Sequence, residues 1–239
     1  TLRSRGLGDV YKRQSLATGE VWLSHGSDHG GSLRTPASFC GIVGLRPSPG
    51  RVPSSGPSGF ATEGVQGPMA RSVRDCALFL DAMSGFTTAV PVSYPWPVEG
   101  TFEAAVIEAE PKIGIAFSPD FNGMAQADTE VIDHLRNVLL RLQKEGATVE
   151  EACPELPDLE RTYHTLRGID MATAARRCPE EVSRHFKKTL AENMETGRRL
   201  TMDDVADANL GRTVIFNNMV SFLERYDVLA CPTVGCMPH

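Results

Sequence analysis

Residues 26–34 read GSDHGGSLR and place Ser32 directly after two glycines. Glycine has no Cβ atom, so several backbone N–H groups can approach one point and bind an anion or a developing oxyanion. A hydroxyl at the edge of such a nest is where a nucleophile must lie to leave its oxyanion inside. Asp28 can hold the loop by accepting N–H bonds, and Arg34 can hold a carboxylate or carbonyl. From the residues alone, a plain Gly-Gly-Ser loop stays the alternative.

Other catalytic templates are missing from the sequence. No serine lies in a G-x-S-x-G elbow, and neither a GxxxxGK[ST] loop nor a G-x-G-x-x-G fingerprint occurs. His25 and His29 lie close to Ser32 in sequence, but their position in one tight loop does not require either ring to reach the serine hydroxyl. Neither histidine is therefore favoured as the general base.

Composition bounds the function further. The 239 residues carry a net charge of −6 and are 41% hydrophobic, which is typical of a folded globular protein. No apolar run approaches the roughly 20 residues of a membrane helix, and no Lys/Arg-rich run suggests nucleic acid as a partner. The six cysteines are scattered, so reduced thiols and a cytoplasmic location are expected. Cys231 and Cys236 near His239 suggest half of a zinc site, but the spacing disfavours it, and we expect no metal and no cofactor.

Hydrophobic periodicity predicts an α/β protein with strands and helices interspersed along the chain. Ser72 and Asp75 predict the start of a helix with an apolar stripe that includes Val73 and Cys76. Thr201 and Asp204 predict a capping box for another long helix, to about Tyr226, whose apolar stripe includes Val205, Ala208, Val214, Phe216 and Phe222. The further predicted elements are a strand within 41–45, a short helix at 102–109, a strand at 112–117, a helix at 129–145, a strand at 147–151, helical segments over 158–195 and a buried strand at 227–232.

The two ends of the chain read differently from the middle. Residues 1–14 carry four basic residues and one acidic residue, without a hydrophobic period. The string DVYKRQ (Asp9–Gln14) resembles a translated sequencing-library end, so we interpret 1–14 as a non-native segment and 15–239 as the domain proper. A genuine basic N-terminal arm is the alternative. Because a predicted core strand comes shortly before the last residue, we expect this domain to be partial.

The stretch 26–34, together with the residues after it up to Arg51, resembles the signature region of the amidase signature family. The resemblance continues through Gly67–Val73 (GPMARSV) and the helix after it, and through Glu224–Thr233 (ERYDVLACPT). It implies a mixed β-sheet core wrapped by α-helices and an amidase that cleaves carboxylic amides through a serine acyl-enzyme. The substrate would be a small-molecule amide, and a homodimer is left open.

The resemblance also implies roles for single residues. Ser32 matches the nucleophile, and the backbone N–H groups of His29, Gly30, Gly31 and Ser32 would form the oxyanion hole. Asp28 and Arg34 match the polar residues that support the loop. The family's base is a lysine that acts through a bridging serine upstream of this loop.

Neither of those two upstream roles is assigned to Lys12 or Ser15, whose sequence contexts do not match. The 239-residue chain alone is therefore expected to show little or no activity. The A-type subunit of a glutamine-dependent aminoacyl-tRNA amidotransferase is the alternative enzyme, and a non-catalytic anion-binding module is the alternative outside the enzyme class.

Overall fold

The computed structural model describes residues 7–54, 59–95, 100–176 and 178–238. Its described residues form two compact units, one within 1–54, 64–153 and 226–239 and the other within 55–63 and 154–225. The elements of the first unit are α1 (Leu7–Ala17), β1 (Leu23–Asp28), α2 (Arg34–Cys40), β2 (Val43–Gly44), β3 (Val65–Ala70), α3 (Val73–Met83), α4 (Phe102–Ile107), β4 (Gly114–Phe117), α5 (Thr129–Lys144), β5 (Thr148–Glu151) and β6 (Val228–Ala230). The second unit contains α6 (Leu159–Ala175), α7 (Glu180–Ser183), α8 (Lys188–Arg198) and α9 (Met202–Leu223).

An antiparallel sheet carries the glycine-rich loop. Its three strands have the order β1-β3-β2, and the register pairs Asp28 with Val65 and Gly26 with Gly67. Leu16, Leu33 and Met69 are fully buried together beside this sheet, so α1, the loop and β3 share one small core. The sequence did not predict β1 or β3, because glycine and proline within them are typical of turns.

Helix α1 is another element that the sequence did not predict. It runs from Leu7 to Ala17, across the boundary that the sequence suggests at residue 14. Its C-terminal turn buries Leu16 completely. The apolar period of this helix is too short to predict a helix from the sequence. The tertiary contacts of Leu16 stabilise it instead.

The second sheet is parallel and has the order β5-β4-β6. Helix α5 covers it through Leu139, which packs with Ile115 and Phe117 in a second core cluster. This confirms the predicted strand–helix–strand unit and, with the first sheet, the α/β class. The prediction of a buried final strand is wrong for Val228, which is 41% exposed in β6.

In α3 and α9 the predicted N-terminal caps agree with the structure better than the predicted apolar stripes do. Ser72 Oγ accepts the N–H of Asp75 at 3.1 Å, and the Thr201–Asp204 capping box is complete. Val73, however, is 58% exposed at the first position of α3, and Phe216 in the predicted stripe of α9 is 65% exposed. Val214 of that stripe is 46% exposed, whereas Ala208 of the same stripe is buried as predicted.

Small residues explain the orientation of α9. Ala208 is buried, and a Cβ atom at Gly211 would lie 2.6 Å from Thr162 Oγ1 of α6. The two helices therefore approach through small side chains at these positions, while Leu210, Val214 and Phe216 of α9 are exposed. Among the helices in the described ranges, none has the length and apolar character needed to cross a membrane.

Gly67 in the middle strand β3 provides a test of the close packing in the antiparallel sheet. A Cβ atom there would collide with the main-chain oxygen of Leu45 and lie 2.7 Å from Leu33 Cδ1. Because a backbone oxygen cannot move aside, Gly67→Ala is expected to lower the free energy of unfolding by about 3 kcal/mol, measured by urea denaturation.

Gly85→Ala is the matched control. A Cβ atom at Gly85 would meet nothing within 4 Å, so this variant is expected to stay within about 1 kcal/mol of the wild type. Equal losses in the two variants would contradict the packing described for Gly67.

Candidate active site

The glycine-rich loop joins the end of β1 to the start of α2. The strand ends at Asp28, Leu33 is the N-cap of α2, and the helix begins at Arg34. Gly31 has φ +96°, in the left-handed region, and a Cβ there would lie 2.7 Å from Thr35 Oγ1. Its carbonyl oxygen accepts the N–H of Thr35 at 2.8 Å. Only glycine satisfies both the backbone angle and the space at this position.

Asp28 is the centre of the loop's hydrogen bonds. Its side chain is fully buried, and its carboxylate accepts the N–H of Gly31 at 2.8 Å and the N–H of Leu33 at 3.1 Å. Arg34 donates to both carboxylate oxygens, from Nε at 2.9 Å and from Nη2 at 3.0 Å. Arg46 donates from Nη1 to the main-chain oxygen of Asp28 and, at 3.4 Å, to Oδ1. The loop is thus folded around one buried negative charge.

These contacts decide the protonation of Asp28. Burial by itself raises the pKa of a carboxyl group, because it penalises the charged form. The hydrogen bonds and charge of Arg34, with the N–H groups of Gly31 and Leu33, outweigh burial and lower the pKa of Asp28 from 3.8 to about 2. Asp28 is therefore a stable carboxylate at neutral pH, suited to holding the loop and unsuited to taking up a proton.

Ser32 lies half-buried one residue before the helix cap. In the part of the chain that the structure describes, its hydroxyl makes no hydrogen bond. The N–H groups of Gly30 and Ser32 likewise meet no acceptor among the described residues. The sequence prediction counted the N–H of Gly31 among the oxyanion donors, but in the structure this N–H is directed at Asp28.

The two histidines near the loop have different surroundings. His25 is exposed in β1, and its main-chain oxygen accepts a hydrogen bond from Lys12 Nζ at 3.2 Å. His29 is half-buried, and its ring lies over Gly64, with Cδ2 3.4 Å from the position that a Cβ there would take. The His29 ring therefore lies against the residue that immediately precedes β3.

The end of β6 provides a neighbour of the loop. Burial raises the pKa of the Cys231 thiol, and the nearby Arg34 guanidinium opposes that rise. The suggested half zinc site gains no support from the described residues, in which no group of three or more His, Cys, Asp or Glu side chains is arranged to hold a metal ion. Its third member, His239, lies outside the described residues.

Arg46 is the site residue that sequence reasoning did not single out. It lies two residues after β2, on the opposite edge of the antiparallel sheet from Asp28. Its position inside the signature-like block was the only available signal, because nothing in the sequence pairs it with Asp28.

Comparison with known proteins places this fold and loop in a family. The family model described as Amidase matches residues 14–239, and the chain belongs to this family. The chain is 31% identical over 237 residues to the acylamidase of Rhodococcus erythropolis, a match that covers 97% of this chain and 49% of that protein. It is 32% identical over 247 residues to the A-type subunit of the glutamyl-tRNA(Gln) amidotransferase of Moorella thermoacetica, covering 92% of this chain and 50% of that protein.

A solved structure gives the same result for the fold. The chain superposes on a bacterial aryl acylamidase of the amidase signature family with a TM-score of 0.84 and 26% identity, covering 95% of this chain and 49% of that one. The chain therefore spans about half the length of the curated relatives and of the solved structure that it matches.

The lowered pKa of Asp28 makes stability depend on pH. Because the folded-state pKa is below the unfolded value, the carboxylate contributes stability above pH 4 and loses it as the pH falls toward 2. The shift corresponds to about 2 kcal/mol. We expect Asp28→Asn to lower the free energy of unfolding at pH 7 by at least about that amount and to flatten its decline in acid, measured by urea denaturation between pH 2 and 7.

Ser32→Ala is the control for this measurement, because it changes the same loop without removing a carboxylate. It is expected to keep the wild-type decline in acid. An Asp28→Asn variant with that same decline would show that another carboxyl group causes the acid sensitivity.

Proposed function

We propose that the protein is an amidase that cleaves a carboxylic amide through an acyl-enzyme on Ser32. The observation that carries this proposal is the loop itself, in which a half-buried serine hydroxyl lies beside N–H groups that Asp28 does not engage. Membership of the amidase family supports the same chemistry.

In the proposed reaction, Ser32 Oγ attacks the amide carbonyl carbon and forms a C–O bond as its proton passes to a base. The carbonyl oxygen becomes an oxyanion, which the backbone N–H groups of His29, Gly30 and Ser32 stabilise. The C–N bond then breaks as the proton passes to the leaving amine. Water attacks the acyl-enzyme, releases the carboxylic acid and restores the serine hydroxyl.

The base of this proposal is a lysine acting through a bridging serine, as the family resemblance implies. No residue of the described chain is assigned to either role. Lys12 Nζ donates to the main-chain oxygen of His25 at 3.2 Å, and the sequence around Lys12 does not match that of the family's lysine.

The proposed substrate class is an acyl anilide or a similar small amide. It follows from the acylamidase relative and from the aryl acylamidase that shares the fold. Arg34 donates to both carboxylate oxygens of Asp28, so it is already paired with an anion of the protein. The proposal therefore does not require a substrate that bears a carboxyl group.

The test uses the longest polypeptide that the gene encodes. Turnover of an acyl anilide and covalent labelling by a fluorophosphonate are both expected, and Ser32→Ala is expected to remove the label and lower kcat on the order of 10⁴-fold or more. The site of labelling is read by peptide mass spectrometry.

Ser38→Ala is the matched control for this test. Ser38 lies exposed in α2, six residues after the proposed nucleophile, and its loss is expected to leave turnover and labelling as in the wild type. Anilide turnover that survives in the Ser32→Ala variant would contradict the proposal.

A second candidate is the activity of an amidotransferase A-type subunit, which the relative from Moorella thermoacetica favours. The two enzyme classes differ in the amide that they use. An amidotransferase of this type is expected to hydrolyse glutamine with little turnover of anilides and to copurify with another protein chain. Anilide turnover by the isolated protein without such a partner would favour the amidase.

A further inference from the structure

The contacts of Arg46 differ from those of Arg34 in one respect. Arg34 neutralises the Asp28 carboxylate by donating to both of its oxygens. Arg46 directs Nη1 chiefly at the main-chain oxygen of Asp28, and its contact to Oδ1 is longer, at 3.4 Å. Arg34 therefore neutralises the carboxylate of Asp28, and Arg46 binds mainly the main-chain oxygen of the same residue.

The route of Arg46 to that oxygen crosses the middle strand of the sheet. The pairing of Val43 with Ala70 and Gly44 with Met69 continues through the bond from Leu45 N to the oxygen of Pro68. Two strand spacings, about 10 Å, separate the outer strands of a three-stranded sheet. A long side chain is needed to bridge them, and the Arg46 side chain is only 26% exposed along that path.

Gly67 leaves room for this bridge. A Cβ atom on Gly67 would collide with the oxygen of Leu45 and lie 2.9 Å from Pro47 Cδ. The segment on both sides of Arg46 thus lies directly against the bare backbone of β3. This close packing fixes where the Arg46 side chain begins.

Peptide planarity links the Asp28 oxygen to the proposed chemistry. The C=O of Asp28 and the N–H of His29 belong to one planar trans peptide unit, so they point in opposite directions. A contact that fixes the carbonyl oxygen also fixes the direction of the His29 N–H. That N–H is the first of the proposed oxyanion donors.

We propose that Arg46 is a positioning residue that sets the direction of the His29 N–H by holding the other end of the same peptide unit. This role rests on the proposed amidase function. Arg46 does not touch the substrate, and its effect is confined to the transition state, because the oxyanion forms only there.

Kinetics of Arg46→Met test the proposal, since methionine keeps the apolar stem and removes the guanidinium. Loss of an oxyanion donor costs about 10²–10³ in kcat, and a donor that is displaced and not deleted should cost less. We expect kcat to fall roughly 10- to 100-fold with KM within about twofold of the wild type. Arg46→Lys, which keeps a donor and the charge, is expected to fall between the two.

Arg71→Met is the matched control. Arg71 also donates to main-chain oxygens, those of Leu16 at 2.9 Å and Val21 at 2.8 Å, and these partners lie at the end of α1 and just before β1, outside the loop. Its loss is expected to lower thermal stability and to leave kcat within about twofold of the wild type. A fall in kcat as large in Arg71→Met as in Arg46→Met, or an unchanged kcat in Arg46→Met, would overturn the proposal.

A second readout separates this proposal from the amidase function. Backbone amide resonances of 15N-labelled protein report the orientation and hydrogen bonding of each peptide unit without any turnover. In Arg46→Met the His29 resonance is expected to shift, while those of Gly31 and Leu33, held by the carboxylate, stay in place. If no Ser32-dependent turnover is found, the amidase proposal fails, and an unshifted His29 resonance then overturns the role of Arg46 as well.

Discussion

A carboxylate that is removed from water must find its hydrogen bonds inside the protein, and the loop around Asp28 is arranged to supply them. Two backbone N–H groups and two arginines converge on this residue. Together the four contacts fix three parts of the chain: the turn at Gly31, the start of α2 at Leu33 and Arg34, and the segment after β2. Removal of Arg34 or of either backbone donor leaves a buried charge that is partly unsatisfied, which is more costly than the loss of a surface ion pair. The position of Ser32 follows from this arrangement.

Features of the fold that depend on neighbouring residues could be predicted from the sequence. The caps at Ser72 and Thr201 need only a side chain and a backbone N–H three residues away, and both are confirmed. The strand–helix–strand unit around α5 has a strong apolar period and is also confirmed. Strands β1 and β3 were not predicted, because Gly26 and Pro68 are residue types that are typical of turns. Their pairing is seen only in the register of the folded sheet.

In the candidate site, too, the features that lie within a short stretch of sequence could be predicted, and those that depend on distant residues could not. The loop and its serine stand together in one short stretch, so residue types and family resemblance both lead to Ser32. Ala208 on the buried face of α9 was predicted, but the exposure of Val214 and Phe216 was not, because that helix is apolar on several sides. The link from Arg46 to Asp28 spans 18 positions and crosses a strand that lies still further along the chain. No local pattern encodes a contact of that kind.

The N–H groups of Gly31 and Leu33 already donate to a carboxylate of the protein itself, that of Asp28. Asp28 acts as a resident anion in the nest that the glycines form. The loop therefore keeps its shape when nothing is bound, and the ordering of these backbone groups is complete before a substrate arrives. Only some of the backbone N–H groups of the loop are therefore available to a free phosphate or sulfate ion. The same carboxylate that organises the loop thus restricts it to ligands that need few donors, such as a single oxygen atom gaining charge.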